Sequence, residues 1–166
     1  MKKVHFIFAL GLIISLFFIN LYAQKTIPSI KVKNMNGGMV DTKTFNNNGK
    51  PYVISFWATW CHPCVQELNA LSEVYAKWQK ETGVKVIAIS IDDARNSRRV
   101  PGYVKSRKWA FEVYVDENSD FHRAMNSNHP PHTYLVNGKG EIVWQHVGYA
   151  PGDENELYKE IKKLTK

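Results

Sequence analysis

Cys61 and Cys64 are the only two cysteines of this chain, and they stand three positions apart in the stretch WATWCHPC. A pair so spaced can exchange disulfides with other molecules, hold a metal ion or staple a fold. The staple is the weakest of these, because a bridge across so short a loop removes little entropy from the unfolded chain. Disulfide exchange asks for one reactive thiolate and one thiol that resolves the mixed disulfide. If Cys61 lies at the first turn of a helix, unpaired backbone N–H groups and the helix dipole favour its thiolate over its thiol. Lowering a thiol pKa from about 8.5 to about 7 takes roughly 2 kcal/mol and raises the thiolate share at neutral pH to about half. In the same geometry Cys64 is one turn further in, more buried, and able to attack a mixed disulfide formed at Cys61. Pro63 restricts the turn between them and lacks an N–H, which the first turn of a helix tolerates. His62 could steady the thiolate when protonated, or face solvent without effect.

The flanking segments supply such a position. PYVISFW, just before the pair, is continuously apolar, as a strand buried on both faces is. After the pair, Val65, Leu68, Leu71, Val74, Tyr75 and Trp78 recur at helical spacing, and Gly83 follows as a stop. The cysteines therefore sit where a central strand passes into an amphipathic helix. Upstream, a strand over Ile30 to Lys33 precedes a turn through Asn36, Gly37 and Gly38, and a polar loop runs from Asn46 to Gly49. Downstream come a strand VKVIAISI, a basic helix around Val100 to Lys108, a strand FEVYV and a short helix from Ser119 to Met125. Strands HTYLV and EIVWQHV, joined by a turn over Asn137 to Gly140, lead to a last helix from Asp153 to Leu164, acidic at its start and lysine-rich at its end as the dipole favours. Strands alternating with helices and ending in a hairpin imply a three-layer α/β sandwich with a mixed sheet.

A length of 166 residues suits one folded domain. Residues 1–23 stand apart from it: Lys2 and Lys3 precede an apolar run from Val4 to Phe18, and Leu21, Tyr22 and Ala23 follow. That order reads as an export signal cleaved after Ala23, with an uncleaved membrane anchor as the alternative. Either way the domain over residues 24–166 is expected outside the cytoplasm, periplasmic or anchored facing the periplasm, where disulfides form and persist. The net charge of +7 falls to +5 without Lys2 and Lys3, and the remaining basic residues are mostly scattered over a solvated surface. Arg95, Arg98, Arg99, Lys105, Arg107 and Lys108 form the one dense group. They could meet an acidic partner or a membrane surface, but no nucleic-acid motif accompanies them, and no nucleic-acid partner is expected.

With these elements in place, FWATWCHPC resembles the active-site segment of thioredoxin-fold proteins, in particular exported thiol-disulfide oxidoreductases of the TlpA/ResA type within the redoxin group. That type has a hairpin before the core strand, as MNGGMV offers, and a central helical insertion, as Asp93 to Trp109 offers. Its second signature, a proline loop followed by a strand, stands here as PHTYLV from Pro131. The resemblance covers nearly the whole chain after residue 23. It implies a thioredoxin-like α/β/α sandwich with an N-terminal hairpin extension and a central helical insertion.

The resemblance also implies site residues. Pro131 is expected as a cis-proline facing the cysteines, where it blocks metal capture and guides the substrate backbone. Pro130 departs from the pattern, since it has no N–H to offer a substrate. His132 replaces the usual threonine, which puts a titratable group close to the site or on the sheet surface. Thioredoxins proper carry a buried aspartate where this chain has Ser55. Glu67 instead completes the pattern CxPCxxE of some exported relatives and could accept or return the proton of Cys64, with burial raising its pKa. A surface helix glutamate is the other reading of that residue. Trp60 is expected to flank the exposed thiol as a contact surface, and Trp57 to belong to the core.

The function so implied is exchange of disulfides in client proteins, as a reductant fed by a membrane thiol transporter, of the kind that serves cytochrome c maturation. An oxidant or isomerase would use the same residues and differ in reduction potential. A thiol peroxidase would need a Pro-x-x-x-Thr-x-x-Cys setting, which the residues before Cys61 do not provide. A copper metallochaperone could use Cys61 and Cys64 with His62, His129 or His132, although copper carriers on this fold usually space their cysteines by three residues. No prosthetic group is indicated.

Overall fold

The segment Tyr52–Trp57 is buried at every position, which is why no alternation appears in its sequence, and it forms the central strand β3. The computed structural model describes residues 25–165, so the export signal expected over residues 1–23 lies outside them. Strand β3 pairs in parallel with β4 (Lys85–Ser90) and antiparallel with β6 (His132–Val136). Strand β5 (Glu112–Val115) runs parallel to β4, and the hairpin of β1 (Lys31–Asn34) and β2 (Met39–Asp41) extends the sheet beyond β5. Strand β7 (Ile142–Val147) closes the other edge against β6. The result is one mixed seven-stranded sheet in the order β2-β1-β5-β4-β3-β6-β7.

Helix α1 (His62–Thr82) follows from its pattern: Val65, Leu68, Leu71, Tyr75 and Trp78 are buried against the sheet, and Gly83 ends the helix at φ 68°, a conformation that costs glycine little. Helix α2 (Val100–Arg107) is the inserted crossover between β4 and β5, and its Tyr103 packs against Trp57 and Trp109. Helix α4 (Asp153–Lys163) buries Leu157 and Ile161 in the same apolar cluster as α1. The opposite face of the sheet is covered by the short helix α3 (Asp120–Ala124), which contributes Phe121, together with Ile27, Phe45 and Met125. These are the three layers that the alternation of strands and helices implied. The first strand runs one residue further than its sequence pattern suggested, because Asn34 still pairs with Tyr114 of β5. All six residues of the basic group are exposed, Arg95, Arg98 and Arg99 ahead of α2 and the other three at its C-terminal end. Among the described residues no helix is long and apolar enough to cross a membrane.

Candidate active site

The chain leaves β3 at Trp57 and enters α1 five residues later, and Cys61 caps that helix. Its Sγ accepts a hydrogen bond from the Cys64 backbone N–H at 3.3 Å, and Pro63 occupies the first turn. A sulfur held there faces the unpaired donors of the helix N-terminus, which favour its anionic form. Cys61 and Cys64 are joined in a disulfide with their Cα atoms 5.3 Å apart. Cys61 is 6% exposed and Cys64 fully buried, so the structure orders the two as the sequence suggested, with Cys61 outward. Trp60 beside them is 63% exposed, and His62 and Pro63 also face solvent, whereas Trp57 lies wholly in the core.

The loop before Cys61 is held by a residue that the sequence did not single out. Asp92, fully buried just past the end of β4, accepts from the Thr59 backbone N–H at 2.9 Å and from the Thr59 hydroxyl at 2.6 Å. Ser90 Oγ donates to the same carboxylate at 2.8 Å. The Cys61 N–H meanwhile donates to the Ala58 carbonyl at 3.1 Å, so the approach to the nucleophile is a closed turn. An aspartate just after a buried strand was the available signal for this role, but its loop partner, Thr59, lies more than thirty residues upstream.

Pro131 enters from the neighbouring strand. Phe56 pairs with His132, so Pro131 stands level with Trp57, where the chain departs for the cysteines. The Pro130–Pro131 bond is cis, as the resemblance implied, and the Pro131 carbonyl accepts from Gly148 N–H at 2.8 Å. Pro131 is buried and Pro130 half-buried.

Glu67 stands one helical turn beyond Cys64 and is only 5% exposed, so it is not a surface glutamate. Ser55 Oγ donates to its Oε2 at 2.9 Å, and Thr133 Oγ1 donates to its Oε1 at 2.6 Å. Burial pushes the Glu67 carboxyl up to about 7, against the opposing pull of the Thr133 and Ser55 hydrogen bonds and of nearby His146. A carboxyl poised there can take or return a proton near neutral pH. Ser55, in place of an acid, becomes a ligand of the acid that α1 supplies.

His132 is not brought together with these groups. It lies on the opposite face of the sheet, in the layer of Phe56 and Tyr134, and is 5% exposed. Its Nδ1 is 2.9 Å from Ser127 Oγ and 3.1 Å from the Tyr134 hydroxyl. It is buried rather than on the sheet surface, because the pleat turns residue 132 away from α1, toward Ser127 and Tyr134. The pleat turns Thr133 toward α1 instead, and Thr133 is the second residue the sequence missed. Among the described residues no three His, Cys, Asp or Glu side chains are grouped to hold a metal ion.

Comparison with known proteins agrees with this geometry. The model of the AhpC/TSA family matches residues 23–145. Thiol-disulfide oxidoreductase ResA of Bacillus thuringiensis subsp. konkukian is 29% identical over 141 residues, 85% of this chain and 78% of that one. Among solved structures, an uncharacterized thioredoxin-like protein from Porphyromonas gingivalis superposes with a TM-score of 0.76 at 46% identity, covering 88% of this chain and 94% of the other. StoA from Bacillus subtilis superposes with a TM-score of 0.62 at 21% identity, over 80% of this chain and 97% of its own, a likeness of fold. A family match over most of the sequence, on a fold shared with these relatives, means that this chain belongs to the AhpC/TSA family and is a thioredoxin-fold thiol-disulfide oxidoreductase similar to ResA.

Proposed function

We propose that this protein is exported through residues 1–23 and reduces disulfides in client proteins outside the cytoplasm, with a membrane thiol transporter returning its electrons. Clients of cytochrome c maturation are the class that its likeness to the TlpA/ResA type favours. The observation that carries the reading is the pairing of an outward cysteine at a helix N-terminus with a buried cysteine backed by a carboxyl poised near neutrality.

In the reduced protein the Cys61 thiolate attacks one sulfur of the client disulfide. The other client sulfur leaves as a thiolate and takes a proton, and a mixed disulfide joins Cys61 to the client. Exposed Trp60 and the Pro130–Pro131 segment offer apolar and backbone contacts to the client at this stage, with no N–H from Pro130. The Cys64 thiol then gives its proton to Glu67, and its sulfur attacks Cys61 Sγ. The second client sulfur leaves and is protonated, so two electrons and two protons have passed to the client. The Cys61–Cys64 disulfide that remains is the state seen here.

The reduction potential of the pair tests the direction. It is measured by equilibrating the protein lacking residues 1–23 in glutathione and dithiothreitol buffers. A value near roughly −270 mV supports a reductant, whereas one near roughly −120 mV means that the protein oxidises its clients.

A further inference from the structure

A buried base that takes a proton in each cycle must also return it, and Glu67 is only 5% exposed. Against the carboxyl lies a cavity of about 10 Å³, with Glu67, Thr133, His146, Tyr149, Asp153 and Glu154 around it and Leu71, Trp144 and Leu157 completing an apolar wall. That is about the space one water molecule needs, with several polar partners around it. At its outer end His146 Nε2 and Asp153 Oδ2 are 3.2 Å apart, with side chains 34% and 31% exposed. Asp153 also accepts from Ala150 N–H at 2.7 Å, so its carboxylate is fixed from two sides.

We propose that His146, oriented by Asp153, passes protons between Glu67 and solvent through this cavity. The proposal rests on the reading of Glu67 as the proton acceptor of Cys64. An imidazole can take a proton on one ring nitrogen while the other is held by a partner, which suits it to a relay. With Nε2–H donated to Asp153, Nδ1 is the free basic nitrogen. Glu67 gives its carboxyl proton to the intervening water as that water gives one to His146, and the imidazolium loses its proton to solvent. No electron moves. The groups facing Glu67 are Ser55 of β3, Thr133 of β6, His146 of β7, Tyr149 of the following loop, and Asp153 and Glu154 of α4. Tyr149 is a poor competitor for the role, because its hydroxyl donates to Glu154 at 2.9 Å, and burial with that hydrogen bond raises it to about 12.

The test compares His146→Gly, Glu67→Gln and the double variant, each checked for native folding by circular dichroism. Reduced protein is mixed with oxidised glutathione, and tryptophan fluorescence separates mixed-disulfide formation from its resolution. Below pH 7 Glu67 must lose a proton before it can accept one, so the expected result is a resolution step slowed on the order of tenfold in His146→Gly at pH 6, with little change at pH 8. Added imidazole should restore the rate saturably, and the double variant should be no slower than Glu67→Gln alone. His146→Gln should show the same slowing without rescue, which guards against a glycine variant that does not fold. Resolution at the normal rate in both His146 variants overturns the relay, as does a loss that adds to that of Glu67→Gln and ignores imidazole. A normal rate in Glu67→Gln overturns the reading of Glu67, and the relay with it.

Discussion

Thr133 Oγ1 donates to Glu67 Oε1 at 2.6 Å, tying the strand that follows Pro131 to the helix that begins beside Cys61. The two halves of the site are thereby joined through a carboxyl that lies beneath them. On the proposed mechanism, what that carboxyl does with its proton sets how resolution of the mixed disulfide depends on pH.

Replacing Glu67 by glutamine keeps the shape and removes the base. We expect resolution of the mixed disulfide to slow by roughly 10²-fold near neutral pH, while the first attack by Cys61 changes little. Stopped-flow fluorescence over pH 5 to 9 checks this, and persistence of an inflection near 7 in the variant would assign that titration to another group.

The same residue makes stability depend on pH. The folded protein holds the Glu67 proton more tightly than the unfolded chain does, with a pKa of about 7 against 4.5. The stabilisation is therefore full below about 4.5 and is lost as pH rises through about 7, a change of roughly 3 kcal/mol. Urea titrations of the oxidised protein and of Glu67→Gln, each at pH 4.5 and pH 8, should show the normal protein losing that much relative to the variant. An unchanged difference between the two would mean that the carboxyl is not held neutral.

The unequal burial of the cysteines predicts unequal reactivity. In the reduced state Cys64→Ser should alkylate rapidly at Cys61 and accumulate a stable mixed disulfide with a client. Cys61→Ser, left with the fully buried Cys64, should alkylate roughly 100-fold more slowly. Iodoacetamide labelling followed by mass spectrometry measures both rates, and equal labelling would contradict the assignment of nucleophile and resolving thiol.

Asp92→Ala would leave the Thr59 N–H, the Thr59 hydroxyl and the Ser90 hydroxyl without their acceptor. A loss of roughly 3 kcal/mol follows from orphaning the buried Ser90 donor and the two half-buried donors of Thr59. Because the loop leads into Cys61, client reduction should fall as well at temperatures where the variant is folded. Chemical denaturation beside a disulfide-reduction assay separates the two effects, and an unaltered denaturation midpoint would refute the anchoring role.

Much of this site could be read from the sequence because it is local. A continuous apolar run, a cysteine pair, a proline in the first turn and apolar residues at helical spacing dictate a strand entering a helix, with Cys61 at its cap. The place of Glu67, one turn after Cys64, follows from the same periodicity. Its burial does not, since a single glutamate at that spacing is compatible with either side of the helix. The sheet hid more. All five residues of His132–Val136 are buried, so no alternation marks which of them face α1. His132 and Thr133 could therefore not be told apart, and the structure gives the face toward Glu67 to Thr133.

The sequence by itself determined the secondary-structure order, the three layers and the reactive pair, because each depends on contacts between residues close along the chain or on chemistry peculiar to cysteine. Only the tertiary structure decided which groups surround the buried carboxyl. Ser55, Thr133 and His146 reach Glu67 from three different strands, and Asp92 reaches Thr59 from just past the end of a fourth, through strand register and the packing of α1 on the sheet. Those contacts span large sequence separations, and what places them is the pleat of each strand, which assigns neighbouring residues to opposite faces without leaving a trace in a strand buried on both.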